Sequence, residues 1–144
     1  MKRTRFYPAI LAIGLMAATP STQNSTIPKN NNAFAFDLYH ELNESTEGNI
    51  FFSPFSISTA LAMTYAGAAG NTASEMASTM HFDDNAKLFH NDYSSYLNRL
   101  NENADGIIQL NIANKIWGEQ TFKLNQDFLH TTRYLYHSPL EQVN

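Results

Sequence analysis

The sequence predicts an α+β protein, a set of helices gathered around one apolar helix with a few short strands. Three stretches carry that prediction. Residues 49–70, NIFFSPFSISTALAMTYAGAAG, join a short apolar run to a helix whose residues from Phe55 to Ala69 are almost all apolar or small. Phe89, Tyr93, Tyr96, Leu97 and Leu100 recur at i, i+4, i+7, i+8 and i+11, the stripe of an amphipathic helix. Ile107 to Trp117 alternates, with Ile108, Leu110, Ile112 and Ile116 on one face, as a strand does.

In chain order, Met1 to Ala18 reads as a secretory signal. Lys2, Arg3 and Arg5 form its basic start, and Ala9 to Ala18 its short apolar core. A membrane span needs about 20 apolar residues, so an uncleaved anchor is the weaker alternative. Residues 19–32 are rich in Ser, Thr, Asn and Pro and read as a flexible linker. Asn24-Ser-Thr and Asn43-Glu-Ser match the glycosylation triplet, which is frequent by chance. The remainder, 33–144, reads as one domain. Ala33 to Leu42 forms a first helix, with Phe34, Leu38 and Leu42 four residues apart.

Asn49 to Phe52 is too short an apolar run for a helix and reads as a buried strand. Ser53 then serves as N-cap, with Pro54 in the first helical position, where its missing N–H costs nothing. An all-round apolar helix is expected to be buried on all sides. Gly70 is placed to end it in a left-handed cap. Thr72-Ala-Ser-Glu75 has the spacing of a capping box for a short helix to about Met80. Asp83, Asp84 and Asn85 supply acceptors for the helix that follows, which ends near Asn101 to Gly106. After the strand to Trp117, Gly118-Glu119-Gln120 reads as a turn. Asn125 is a candidate cap for a helix to about Tyr136, with Phe128, Leu129, Thr132 and Leu135 inward. Pro139 marks its end, and Leu140 to Asn144 begins another strand.

Composition excludes several functions. The 144 residues carry a net charge of −4 and no basic stripe, which argues against nucleic-acid binding. With no cysteine there is neither a disulfide framework nor a cysteine zinc site. No pair among His40, His81, His90, His130 and His137 has the i, i+4 spacing of a helical zinc site. No Gly-x-Ser-x-Gly elbow or phosphate loop is present. The reading is therefore no enzyme, no cofactor and no metal.

Several segments together resemble the N-terminal portion of a serpin. They are Asn49-Ile-Phe-Phe-Ser-Pro-Phe-Ser-Ile-Ser, Ala60-Leu-Ala-Met, Gly67-Ala-Ala-Gly-Asn-Thr72 and Leu110-Asn-Ile-Ala-Asn-Lys-Ile-Trp-Gly. Phe122 to Phe128 and Glu141-Gln-Val143 extend the likeness, which covers about Asn31 to Asn144. The resemblance implies helices A to E, one strand of sheet B, strand 2 of sheet A and the start of strand 1 of sheet A. It also implies that helix F, the other strands and the reactive-centre loop lie beyond Asn144. No residue of that loop is expected in this chain.

The resemblance places Asn49, Ser53, Pro54 and Ser56 in the shutter, where polar contacts influence how strands of sheet A part; plain N-capping is the alternative. It implies suicide inhibition of a serine or cysteine protease by the full-length protein, the chain alone being inactive. A non-inhibitory carrier, chaperone or structural serpin is the runner-up, and a small independent interaction domain a more distant one. Some serpins bind sulfated polysaccharides through a basic helix D. Here that stretch has only Lys87 and Arg99 against Asp92, Glu102 and Asp105, so no heparin site is expected. The location implied is extracellular or periplasmic, with no membrane contact once the signal is removed.

Overall fold

The computed structural model describes residues 25–102 and 112–144; the leader and the first five residues of the predicted 107–117 strand lie outside them. The first helix, α1 (Ile27–Ser45), begins six residues earlier than its apolar stripe suggests. Residues 27–32 are thus helical where the composition reads as linker. Pro28 occupies the first turn, and Ile27, 3% exposed, anchors it seven residues from buried Phe34 on the same face. The asparagines between them turn outward or half-outward, so a polar composition does not prevent the helix.

From Thr46 to Ser53 the chain runs without ladder pairing. The strand expected at Asn49 to Phe52 is not formed. No partner strand lies beside it among the described residues, and Phe51 is fully exposed. A strand's backbone needs a neighbour to bond.

Ser53 caps α2 (Pro54–Tyr65) as its sequence indicates, its Oγ accepting from the Ser56 N–H. The helix stops at Tyr65, short of Ala69. Gly67 and Ala68 N–H bond back three residues to Thr64 and Tyr65, the tighter closure common at helix ends. Nor is α2 buried all round. Ser58, Thr59, Ala62, Met63 and Tyr65 are buried, whereas Phe55, Ile57 and Leu61 are half-covered and Thr64 is exposed.

Gly70 opens α3 (Gly70–Met80) rather than closing α2, at φ +57°. The helix therefore starts two residues ahead of the supposed capping box. Ala69 is its cap and makes no side-chain bond, and Glu75 instead accepts from the Asn71 amide at 3.4 Å. Its far end closes in a Schellman-type turn. His81 is left-handed, and the Phe82 N–H bonds to Ala77 O at 2.9 Å.

Asn85 Oδ1 accepts from the Leu88 N–H at the start of α4 (Ala86–Glu102). The stripe lies as expected: Phe89, Tyr93 and Leu97 are buried, with Tyr96 and Leu100 half-buried. Phe82 and Phe89 pack at 4.4 Å, and Tyr65, Tyr93 and Tyr136 close the aromatic centre around them.

The paired part of the predicted long strand is short. Strand β1 (Trp117–Glu119) pairs in parallel with β2 (Glu141–Val143), in the register Trp117↔Glu141, Gly118↔Gln142, Glu119↔Val143. Residues 112–116 precede the ladder, though Ile116 O already accepts the Glu141 N–H, and Ile112 and Ile116 pack on the core. Gly118 and Glu119 belong to the strand, and the turn falls after them at Gln120. Helix α5 (Gln126–Leu135) connects the two strands, capped by Asn125, whose Oδ1 accepts from Asp127 N–H at 2.8 Å. Gly67 allows α5 to approach α2: a Cβ there would sit 3.1 Å from the Phe128 ring.

Candidate functional site

At the start of α2, backbone geometry places the serines of the expected shutter. Ser53 is extended and faces the first turn, so its hydroxyl donates to Ser56 Oγ at 3.0 Å and accepts from Ser56 N–H at 3.4 Å. Pro54 fills the first helical position. The structure thus joins Ser53, Pro54 and Ser56 in one cap. Asn49 remains exposed in the unpaired stretch ahead of it.

One turn further, α2 carries a buried polar pair. The Thr59 hydroxyl donates to the Phe55 carbonyl at 2.7 Å, which leaves it to accept from the Tyr93 hydroxyl at 3.0 Å. Ser58 Oγ lies at 3.4 Å from the same phenol. Burial holds the Tyr93 pKa above its usual value, opposed by these two hydroxyls. The contacts tie α2 to α4, and Phe55 stacks on Tyr93 at 6.1 Å with near-parallel rings.

Behind Tyr93 lies His90, 6% exposed. Its Nδ1 is 2.7 Å from the Tyr136 hydroxyl, and its Nε2 is buried with no partner among the described residues. Burial pushes the His90 pKa down to about 4 and raises that of Tyr136, with Tyr93 adding to the latter. Tyr136 introduces a short anchored segment. Ser138 N–H bonds to Thr132 O, and Ser138 Oγ donates to Asn114 O, both at 2.9 Å.

Sequence reasoning misses this second cluster. Its signal is legible in hindsight: His90, Tyr93, Ser94 and Leu97 stand at i, i+3, i+4 and i+7 and are all buried. Reading only the apolar members of the stripe hides the polar ones.

The remaining histidines are scattered. His40 pairs with Glu44 along α1, His81 with Asp37 of α1 at 2.6 Å, and His137 with Asn98 at 3.1 Å. Among the described residues no three His, Asp or Glu side chains converge on a metal position. An open, mostly apolar groove of 550 Å³ runs between the end of α2 and the start of α5, lined by Gly67, Met76, Ile116, Phe122, Leu124 and Phe128. It carries no cluster of titratable groups.

A capped helix packed on α1, α3 and α4, with a last helix on α4 that bridges a parallel strand pair, is the frame of the site. Residues 29–144 match the serpin (serine protease inhibitor) family, and the chain belongs to it. It is 41% identical over 112 residues to a leukocyte elastase inhibitor of Xenopus tropicalis, covering 77% of this chain and 29% of that protein. To the leukocyte elastase inhibitor of Sus scrofa it is 42% identical over 115 residues, covering 79% and 30%. To serpin B4 of Homo sapiens it is 31% identical over 135 residues, covering 83% and 34%. A solved cleaved serpin 42Da superimposes with a TM-score of 0.74 at 25% identity, covering 83% of this chain and 32% of that one. The chain therefore spans about a third of the length of the relatives it matches. Helices α1 to α5 answer to the expected helices A to E, and β1 and β2 to the first strands of sheet A.

Proposed function

We propose that the protein built on this segment inhibits a serine or cysteine protease. The protease cleaves an exposed loop, which enters as a strand the sheet that β1 and β2 begin, trapping the acyl-enzyme. The 41% identity to leukocyte elastase inhibitors carries this reading. Serpins so described are inhibitors rather than catalysts, and the target is a protease; its identity resides in the loop. In this reading Ser53, Pro54 and Ser56 hold the base of α2 as sheet strands part above it, with Asn49 nearby. Met1 to Ala18 directs export.

The test is a protein carrying this segment, extended to the length of its relatives and incubated with a panel of serine and cysteine proteases. Expected is a covalent complex that survives detergent, whereas the 144-residue chain alone forms none. Simple proteolysis of the extended protein by every enzyme, without a covalent complex, overturns the inhibitory reading in favour of a non-inhibitory serpin. N-terminal sequencing of exported material is expected to begin between Thr19 and Thr26.

A further inference from the structure

We propose that His90 and Tyr136 form an acid-released latch holding α4 against the root of strand β2. Three elements enclose the imidazole: Tyr65 of α2 at 5.6 Å, Phe89 of α4 at 5.1 Å and Tyr136 beyond α5 at 5.7 Å between ring centres. The hydrogen count selects the tautomer. With Tyr136 donating to Nδ1, the ring proton sits on Nε2 and one buried donor is unmet. The reverse arrangement leaves both the Tyr136 hydrogen and the Nε2 lone pair unmet, which costs more.

Adding a proton to Nδ1 undoes this. Both ring nitrogens then donate, Tyr136 must turn from donor to acceptor, and its own hydrogen loses its place. Among the described residues no carboxylate pairs with the new charge. The ionisable groups around it are Tyr65, Lys87, Tyr93, Tyr136 and, across the cleft between α4 and α5, Asp127 and His130. Among the described residues only Tyr136 bonds the ring. An unpaired buried charge is strongly disfavoured, and burial already holds this histidine far below its ordinary value. The cleft lined by Lys87, Asn91, Asp127 and Thr131 as well as His90 opens beside the ring. A ring leaving by it gives up Tyr136. That residue stands five positions ahead of Glu141, where β2 begins, and the intervening His137 is held left-handed at φ +52°. Acid therefore loosens the segment that seats β2, while the helices stay formed.

The chain has no cysteine, so a D92C and Q142C pair places nitroxide labels at two exposed positions on α4 and β2 and nowhere else. The separation is expected to lengthen as pH falls from 6.5 to 4, with helical circular dichroism unchanged. His90→Phe keeps an aromatic ring without a titrating group and is expected to abolish the change. Tyr136→Phe removes the bond to the neutral ring and moves the midpoint upward. Should His90→Phe fail to fold, the wild-type imidazole NMR titration and the Tyr136→Phe shift decide. A separation constant down to pH 4, an equal transition in His90→Phe, an unmoved midpoint in Tyr136→Phe, or loss of helix at the same midpoint overturns the latch.

Discussion

At the scale of single residues, polar groups do two jobs that hydrophobic pattern does not announce. Ser53 closes the first turn of α2, and a serine cap is worth about 1 kcal/mol. Ser53→Ala is expected to lower unfolding free energy by about that amount in denaturant titration, with the m-value unchanged. His90 sets a pH dependence. Its folded pKa of about 4 lies below the 6.5 of a free imidazole, so the unfolded chain binds the proton first. The associated stability is present above pH 6.5 and is lost as pH falls toward 4. A ring that stayed buried throughout would lose about 3 kcal/mol, and opening of the latch makes the loss smaller. Unfolding measured at pH 7 and pH 4 is expected to show a decrease in wild type that His90→Phe largely removes. The Ser53 cap was legible because a cap is a local bond within three residues. The Thr59–Tyr93 and His90–Tyr136 bonds were not, since their partners lie 34 and 46 residues apart.

Among the elements, ends were harder to read than bodies. The α4 stripe and the Asn125 cap stand where the sequence puts them, but Gly70 changed sides. Its left-handed φ serves the entry to α3, a conformation that costs an L-residue about 1–2 kcal/mol. A Cβ there meets nothing within 4 Å, so Gly70→Ala is expected to destabilise by roughly 1 kcal/mol through backbone strain alone. Thermal melting checks it, and an unchanged midpoint would show that α3 can start elsewhere. A glycine between two helices fits the C′ of one as well as the start of the next, and sequence does not choose. Helix α4 also bears on polyanion binding. Lys87 and Arg99 stand twelve residues apart, roughly 18 Å along the axis. Clustered charge is what retains sulfated polysaccharide, so the chain is expected to pass through a heparin column at about 0.15 M salt, where such charges are largely screened beyond a Debye length.

For the whole molecule, helical content was readable and strand pairing was not. A helix bonds to itself, whereas a strand depends on residues far away in sequence. Ile107 to Trp117 alternates over eleven positions, yet within the described residues the ladder runs only where Glu141 to Val143 lies alongside. The same dependence leaves Asn49 to Phe52 without a partner strand among the described residues, and Phe51 bare. The parallel sense of β1 and β2 has a kinetic consequence. Parallel neighbours cannot be joined by a tight turn, and Glu141 lies 24 positions beyond its partner Trp117. The loop between them must close before any ladder bond rewards it, and α5 shortens that loop only once it has formed and docked beside Gly67. Helices therefore come first in refolding and the strand pair late. Pulse-labelling hydrogen exchange is expected to protect the amides of α4 and α5 before those of Gln120 and Glu141, which donate to Val143 and Ile116 across the pair.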